Sequence, residues 1–309
     1  MTELAVSTKE LVKEFPNKRA VDGISLDIKK GEIFGILGPN GAGKTNFLRM
    51  LATITKVSGG KALIFGKDVT KEARTVRSLI GLTGQYATVD EELTAMENLK
   101  IFGQLNGLSA SQSKVRALEL LNQFSLIEAK DRPIREFSGG MRRRLDLSVS
   151  LIVKPPIIFL DEPTTGLDPR TRGEMWEVIR SLASDGATIL LTTQYLEEAD
   201  QLADRLAIIN HGRIISQGTP NELKSMLSET HFEITLEHMK DVERTKELIK
   251  TEIAQEPIFS PEGIKLTIKL ADTKVMTKLL LCLTQQDIEI KDFSVRKPTL
   301  DEVFLELTK

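Results

Sequence analysis

Apolar and polar positions alternate from residue 4 to about residue 28, for example at Ile24, Leu26 and Ile28. This two-residue period predicts antiparallel strands, with a turn at Asp22-Gly23. A short apolar run at 32–37 leads straight into a glycine-rich loop, and helical spacing follows from Lys44 to about Leu51. Further short apolar runs at 79–82, 157–160, 188–191 and 206–209 alternate with helical stretches. That alternation predicts an α/β core with a largely parallel sheet. Between about 93 and 153 strand signals cease and a 3.6-residue period governs 96–105, 115–124 and 141–151. A helical subdomain is therefore expected as an insertion between two core strands.

A hairpin at Asn210-His211-Gly212 and a short helix at 220–227 close a first domain, taken as residues 1–228. Beyond it, 229–309 reads as a small α+β domain: strands at 232–236, 264–270 and 288–293, helices at 242–253, 273–282 and 300–307. If 256–259 supplies a further strand, the order becomes β-α-β-β-α-β, a ferredoxin-like arrangement. No repeat or low-complexity segment is present.

Composition narrows the class. The 309 residues are 40% hydrophobic and 28% charged, an ordinary globular balance. Lys plus Arg number 42 against 44 Asp plus Glu, which gives no reason to expect a nucleic-acid partner. The lone Cys282 permits no intramolecular disulfide. The first residues lack the basic-then-apolar order of a signal peptide, and no apolar run approaches the ~18 residues that span a bilayer. A soluble chain is expected, with any membrane crossing left to another polypeptide.

The loop reads Gly38-Pro39-Asn40-Gly41-Ala42-Gly43-Lys44-Thr45 and continues to Asn46, matching G-x-x-x-x-G-K-[ST] between a predicted strand and helix. Glycines let backbone N–H groups turn inward around phosphate oxygens, and the helix that follows favours an anion at its start. ATP and Mg²⁺ are the implied ligands: Lys44 reaches the β- and γ-phosphates and the Thr45 hydroxyl ligates the metal. The strand at 157–160 ends in Asp161-Glu162. Adjacent carboxylates after a buried strand are unfavourable unless solvated or used. Asp161 is assigned to Mg²⁺ and Glu162 to the general base that deprotonates water.

Phe137-Ser138-Gly139-Gly140-Met141, followed by the acidic strand, resembles the signature of ATP-binding-cassette (ABC) ATPases. The resemblance runs over residues 1 to about 228 and implies a P-loop NTPase cassette: a RecA-like core, an antiparallel β subdomain and an inserted helical subdomain. It implies that Gln85 is the Q-loop glutamine, near Mg²⁺, that Asp168 lies in the D-loop 165–168, and that Gln194 occupies the switch position. Phe15 stands where an aromatic stacks on adenine, although a strand-end aromatic also suits a core or rim position. Ser138, Gly139 and Gly140 open a predicted helix and so form an anion site. In the family that site completes the nucleotide pocket of a second protomer, in a head-to-tail dimer. The alternative for Ser138 and for Asp168 is a plain helix N-cap. Arg142, Arg143 and Arg144 read as a solvated face, or as one cation turned to the partner's phosphates.

Two departures are informative. Gln194 replaces the usual histidine, and Met141 replaces the commoner glutamine. Both, with the C-terminal 297–304 segment, resemble the daunorubicin/doxorubicin-resistance type of ATP-binding subunit. That type implies drug efflux through a separate polytopic permease at the cytoplasmic face of the membrane, docked beside 85–98. A soluble ABC ATPase of a non-transport process, or a nucleotide switch with negligible turnover, are the rivals. Only His211, His231 and His238 occur, widely spaced, so no structural zinc is expected.

Overall fold

The computed structural model describes residues 3–84, 89–227, 230–253, 256–260, 263–270, 273–296 and 298–308. The chain divides into two compact units, Met1–Pro220 and Asn221–Lys309. The short helix at 220 therefore groups with the second unit. The change in sequence texture at 229 follows strand alternation, not contacts, and lies a little further along.

In the first unit, chain order gives β1 (Leu4–Phe15), β2 (Lys18–Lys29), β3 (Ile33–Leu37), α1 (Lys44–Leu51), β4 (Gly59–Ile64), β5 (Lys67–Asp68), α2 (Ala73–Leu79) and β6 (Ile80–Thr83). The helices α3 (Ala95–Leu105), α4 (Ala110–Gln123) and α5 (Gly139–Ser150) are then inserted before β7 (Ile157–Asp161). The unit closes with α6 (Pro169–Ser184), β8 (Thr188–Thr193), α7 (Leu196–Leu202), β9 (Arg205–Asn210), β10 (Arg213–Gly218) and the start of α8 (Pro220–Ser225).

The central sheet has the order β10-β9-β3-β8-β7-β6. Its pairs are parallel except β9 with β10. Parallel strands here are covered on both faces, which is why β3, β7 and β8 are buried at every residue and read as unbroken apolar runs. Alternate side chains serve two cores. Phe34, Ile36, Phe159 and Leu190 pack with Phe47, Leu48 and Leu51 of α1 and with the β1–β2 sheet. Ile158, Leu160, Ile189 and Leu191 pack with Leu99, Leu121 and Leu145 of the helical insertion and Met175 and Ile179 of α6. Each such buried side chain contributes about 1.5–3 kcal/mol, and the shared core fixes the insertion against the strands that bear the site.

The antiparallel sheet is β2-β1-β4-β5. Its hairpin turn lies at Pro16-Asn17 rather than at Asp22-Gly23. The register jumps from Leu11–Ile24 to Val12–Asp22, so Gly23, with φ 73°, is the extra residue of a β-bulge inside β2. A glycine flanked by alternating residues signals a bulge as well as a turn. The inserted helices carry clear start signals: Thr94 with Glu97 and Ser109 with Gln112 form capping boxes on α3 and α4.

The second unit contains β11 (Thr230–Leu236), α9 (Val242–Ile253), β12 (Ile258–Phe259), β13 (Lys265–Leu270), α10 (Thr273–Gln285), β14 (Ile290–Arg296) and α11 (Leu300–Leu307). Its antiparallel sheet runs β12-β13-β11-β14, a split β-α-β layout. Phe232, Ile234 and Leu236 of β11 pack on Ile249 of α9 and Leu279 and Leu283 of α10. No helix among the described residues is long and apolar enough to cross a membrane.

Candidate functional site

The glycine-rich loop leaves β3 at Leu37 and enters α1 at Lys44, and Gly38 N–H donates to the Thr193 carbonyl at the end of β8. Two glycines are sterically required. A Cβ on Gly38 would lie 2.3 Å from the Ile209 carbonyl oxygen, and one on Gly43 would lie 2.2 Å from that of Ala20. Gly43 also holds φ 109°, a left-handed conformation that side chains disfavour. No side chain caps the start of α1, so its first N–H groups remain available to an anion. The pocket over this turn is lined by Pro39 through Asn46 and by Glu162.

Lys44 is buried. Its Nζ donates to the carbonyls of Gly38 (2.7 Å) and Pro39 (3.2 Å) and lies 3.4 Å from Glu162 Oε1. Thr45 Oγ1 donates to Asp161 Oδ1 at 3.1 Å, and Thr192 Oγ1 donates to the same oxygen at 2.6 Å. A hydroxyl and a carboxylate in contact beside a phosphate-shaped turn are the hard oxygen donors that Mg²⁺ takes. The expected ligand pair thus comes together from elements far apart in sequence. Glu162 follows Asp161 in a left-handed conformation, φ 50°. Its N–H donates to the Thr192 carbonyl at 3.0 Å, and its Oε2 accepts from the Thr165 hydroxyl at 3.2 Å. The carboxylate therefore faces the loop, held from both ends.

The remaining candidates fall elsewhere. Ser138 Oγ accepts from Met141 N–H at 3.3 Å and caps α5, while Ser138 and Gly139 are exposed. Gly140 packs on α6: a Cβ there would meet Thr171 Cγ2 at 2.5 Å. Asp168 caps α6 through Thr171, accepting from its N–H (3.1 Å) and its hydroxyl (2.6 Å), and these bonds hold its carboxyl below the usual range. Ser138–Gly140 and Asp168 thus form a second, exposed cluster and do not line the pocket of the chain's own loop. Gln194 follows β8 directly and is half-buried. Phe15 is 44% exposed at the end of β1, with Lys13 Nζ 4.9 Å from its ring centre. Its hairpin borders the loop, since Lys18 Nζ donates to the Gly41 carbonyl at 3.4 Å. Gln85 lies outside the described residues.

The members of the arginine triplet stand in three different environments and not on one solvated face. Arg142 pairs with Glu91 at 2.7 Å and Arg144 with Glu174 at 3.4 Å. The first of these neutralises part of the acidic 90–92 surface. Arg143 turns inward, where burial lowers its pKa below the ordinary value and its four hydrogen bonds all go to carbonyls around the acidic pair. Helical spacing held the signal: residue 143 lies one turn before the buried Leu147, on the inner face of α5. Thr192 and Glu198 also serve as partners, although no motif marks them in the sequence. Glu198 is fully buried on α7, its Oε1 accepts from Thr164 (2.8 Å) and Trp176 (3.3 Å), and burial raises its pKa.

A phosphate turn, a buried lysine and a strand-end carboxylate pair, beside a glycine-opened helix on an inserted subdomain, define the ABC class of ATPase. The chain belongs to the ABC transporter family: the ABC transporter profile matches residues 21–165, and that of the ATP-binding protein DrrA1-3-like C-terminal domain matches 218–308. It is 47% identical over 304 residues to the daunorubicin/doxorubicin resistance ATP-binding protein DrrA of Streptomyces peucetius, covering 98% of this chain and 92% of that protein. It is 43% identical over 292 residues to the doxorubicin resistance ATP-binding protein DrrA of Mycobacterium tuberculosis, covering 94% and 88%. Among solved structures, a dimeric post-hydrolysis ATP-binding cassette bound to ADP and Pi aligns at TM-score 0.64 and 26% identity, over 69% of this chain and 98% of that one. The cassette is an ATP-binding ATPase of this family.

Proposed function

We propose that this chain is the ATP-hydrolysing subunit of a drug exporter, working as a head-to-tail dimer at the cytoplasmic face of the membrane through a separate polytopic permease. The observation that carries the catalytic part is the buried meeting of Lys44, Thr45, Asp161 and Glu162 over one loop. Phosphates offer Lys44 a stronger partner than the carbonyls of Gly38 and Pro39. When its ammonium turns to them, Glu162 is released to accept a proton from the attacking water. Thr45 and Asp161 would hold Mg²⁺, which supplies charge neutralisation at the phosphates. Gln194 would donate its amide to the γ-phosphate, Gln85 would link the metal to the helical insertion, and Phe15 would stack on adenine.

The exposed Ser138–Gly140 turn and Asp168 support the dimer reading, because an anion site facing away from its own loop suits another protomer's nucleotide. Near full-length similarity to two drug-resistance proteins, including the second unit, supports export of anthracycline-like compounds.

Two measurements test this. Glu162→Gln is expected to lose hydrolysis by at least about 10²-fold while still binding ATP; a rate equal to wild type overturns the enzyme assignment. Co-expressed with the polytopic permease of a daunorubicin/doxorubicin-resistance exporter, the chain should drive ATP-dependent doxorubicin uptake into inverted vesicles. No uptake above that of the Glu162→Gln vesicles overturns the transport assignment.

A further inference from the structure

We infer that Arg143 is a positioning residue for hydrolysis, acting through the backbone that carries Glu162; the inference rests on Glu162 being the base. The side chain springs from α5, the helix opened by Ser138, and its guanidinium joins two separate segments. Nε donates to the Pro163 carbonyl at 2.9 Å, Nη1 to Gly84 at 2.7 Å, and Nη2 to Asp161 at 3.1 Å and Glu162 at 3.0 Å. Three consecutive carbonyls of the acidic turn, and that of Gly84 just past β6, thus converge on one planar group. Only a guanidinium has donors spread in a fixed fork that can serve them together.

The reason lies in the backbone of Glu162. A non-glycine residue at φ 50° stores about 1–3 kcal/mol and persists only where its surroundings over-determine it. Here the peptide before Glu162 is pinned by its N–H bond to Thr192 and by Arg143 Nη2 at the Asp161 carbonyl, and the peptide after it by Arg143 Nη2 together with the Thr165 N–H at 3.3 Å. Loss of the guanidinium removes a hold from both peptides at once, leaves only the longer Thr165 bond on the second, and lets Glu162 relax toward ordinary φ. The carboxylate then leaves Lys44 and Thr165, whereas the loop, held to β8 and β9 by its own contacts, stays in place. A packing role alone would be met by any long side chain. A displacement near 1 Å at a reacting group lowers rate about 10²-fold.

The test uses the full chain with Arg143→Lys and Arg143→Gln, in steady-state ATPase, fluorescent-nucleotide binding and thermal unfolding. Both variants should bind nucleotide within about threefold of wild type and show kcat reduced about 10²-fold, with KM little changed. Lysine should not rescue, because a point charge cannot reach four divergent carbonyls. Either variant turning over within threefold of wild type overturns the inference. So does loss of nucleotide binding together with hydrolysis in both, which marks a merely structural role. Glu162→Gln runs alongside: wild-type turnover there sinks the base assignment itself. Its loss there, with normal turnover in the Arg143 variants, sinks only the role of Arg143.

Discussion

Replacing Gly43 by alanine separates steric from conformational demands on the phosphate loop. The new Cβ would sit 2.2 Å from the Ala20 carbonyl oxygen, against at least 3.4 Å in ordinary contact, so one backbone must retreat by about 1.2 Å. The left-handed φ of 109° adds about 1–2 kcal/mol for a residue with a Cβ, and the forced contact adds about 1–3 kcal/mol of overpacking. Gly41 is the internal control. Its φ is also positive, 79°, yet a Cβ there meets nothing within 4 Å. Gly41→Ala should therefore lose only the conformational part. In thermal unfolding without nucleotide, about 2–4 °C accompanies each kcal/mol in a unit of this size. Gly41→Ala is expected to lower Tm by a few degrees and Gly43→Ala by at least twice as much. Equal shifts, or a smaller one for Gly43→Ala, would show that the Ala20 carbonyl does not shape the loop and would refute the steric argument.

Two further outcomes follow from neighbouring residues. With the roles proposed above for Gln194 and Glu162, Gln194→His should retain hydrolysis, because an imidazole N–H can replace the amide as donor and leaves the proposed base in place; lost turnover with intact ATP binding contradicts this. Glu198 has its pKa raised by burial, so the folded chain keeps a proton that the unfolded chain has released above the ordinary value of 4.5. Its contribution is therefore largest at low pH and declines as pH rises through the folded pKa. The urea midpoint of wild type minus that of Glu198→Gln should fall as pH rises above the ordinary value of 4.5, and a difference that stays constant with pH would dispose of the idea.

Much was legible along the chain because its signals are local. A parallel strand covered on both faces must be apolar throughout, so β3, β7 and β8 announced themselves. A phosphate turn must place glycines where Cβ atoms cannot fit, so 38–45 could be read from spacing, and Asp161-Glu162 from carboxylates set against a buried run. Where one residue type serves two purposes, the sequence is ambiguous. Gly23 marks a bulge and not the hairpin turn, since a positive φ suits either. The cationic run 142–144 looked uniform, but helical geometry sends its members to different environments: Arg142 to Glu91, Arg144 to Glu174, Arg143 to buried carbonyls.

The sequence by itself determined the chemistry of the loop, the acidic pair and the α/β layout around them, because each depends on residues a few positions apart. Tertiary structure alone decided which distant groups meet. Thr192 and Thr45 converge on Asp161, Lys44 lies against Glu162, and Arg143 braces the turn that carries it. Those contacts join residues far apart along the chain: Thr45 and Asp161 are 116 positions apart, and Lys44 and Glu162 are separated further still. They arise from the order in which strands enter the central sheet, which no local period records.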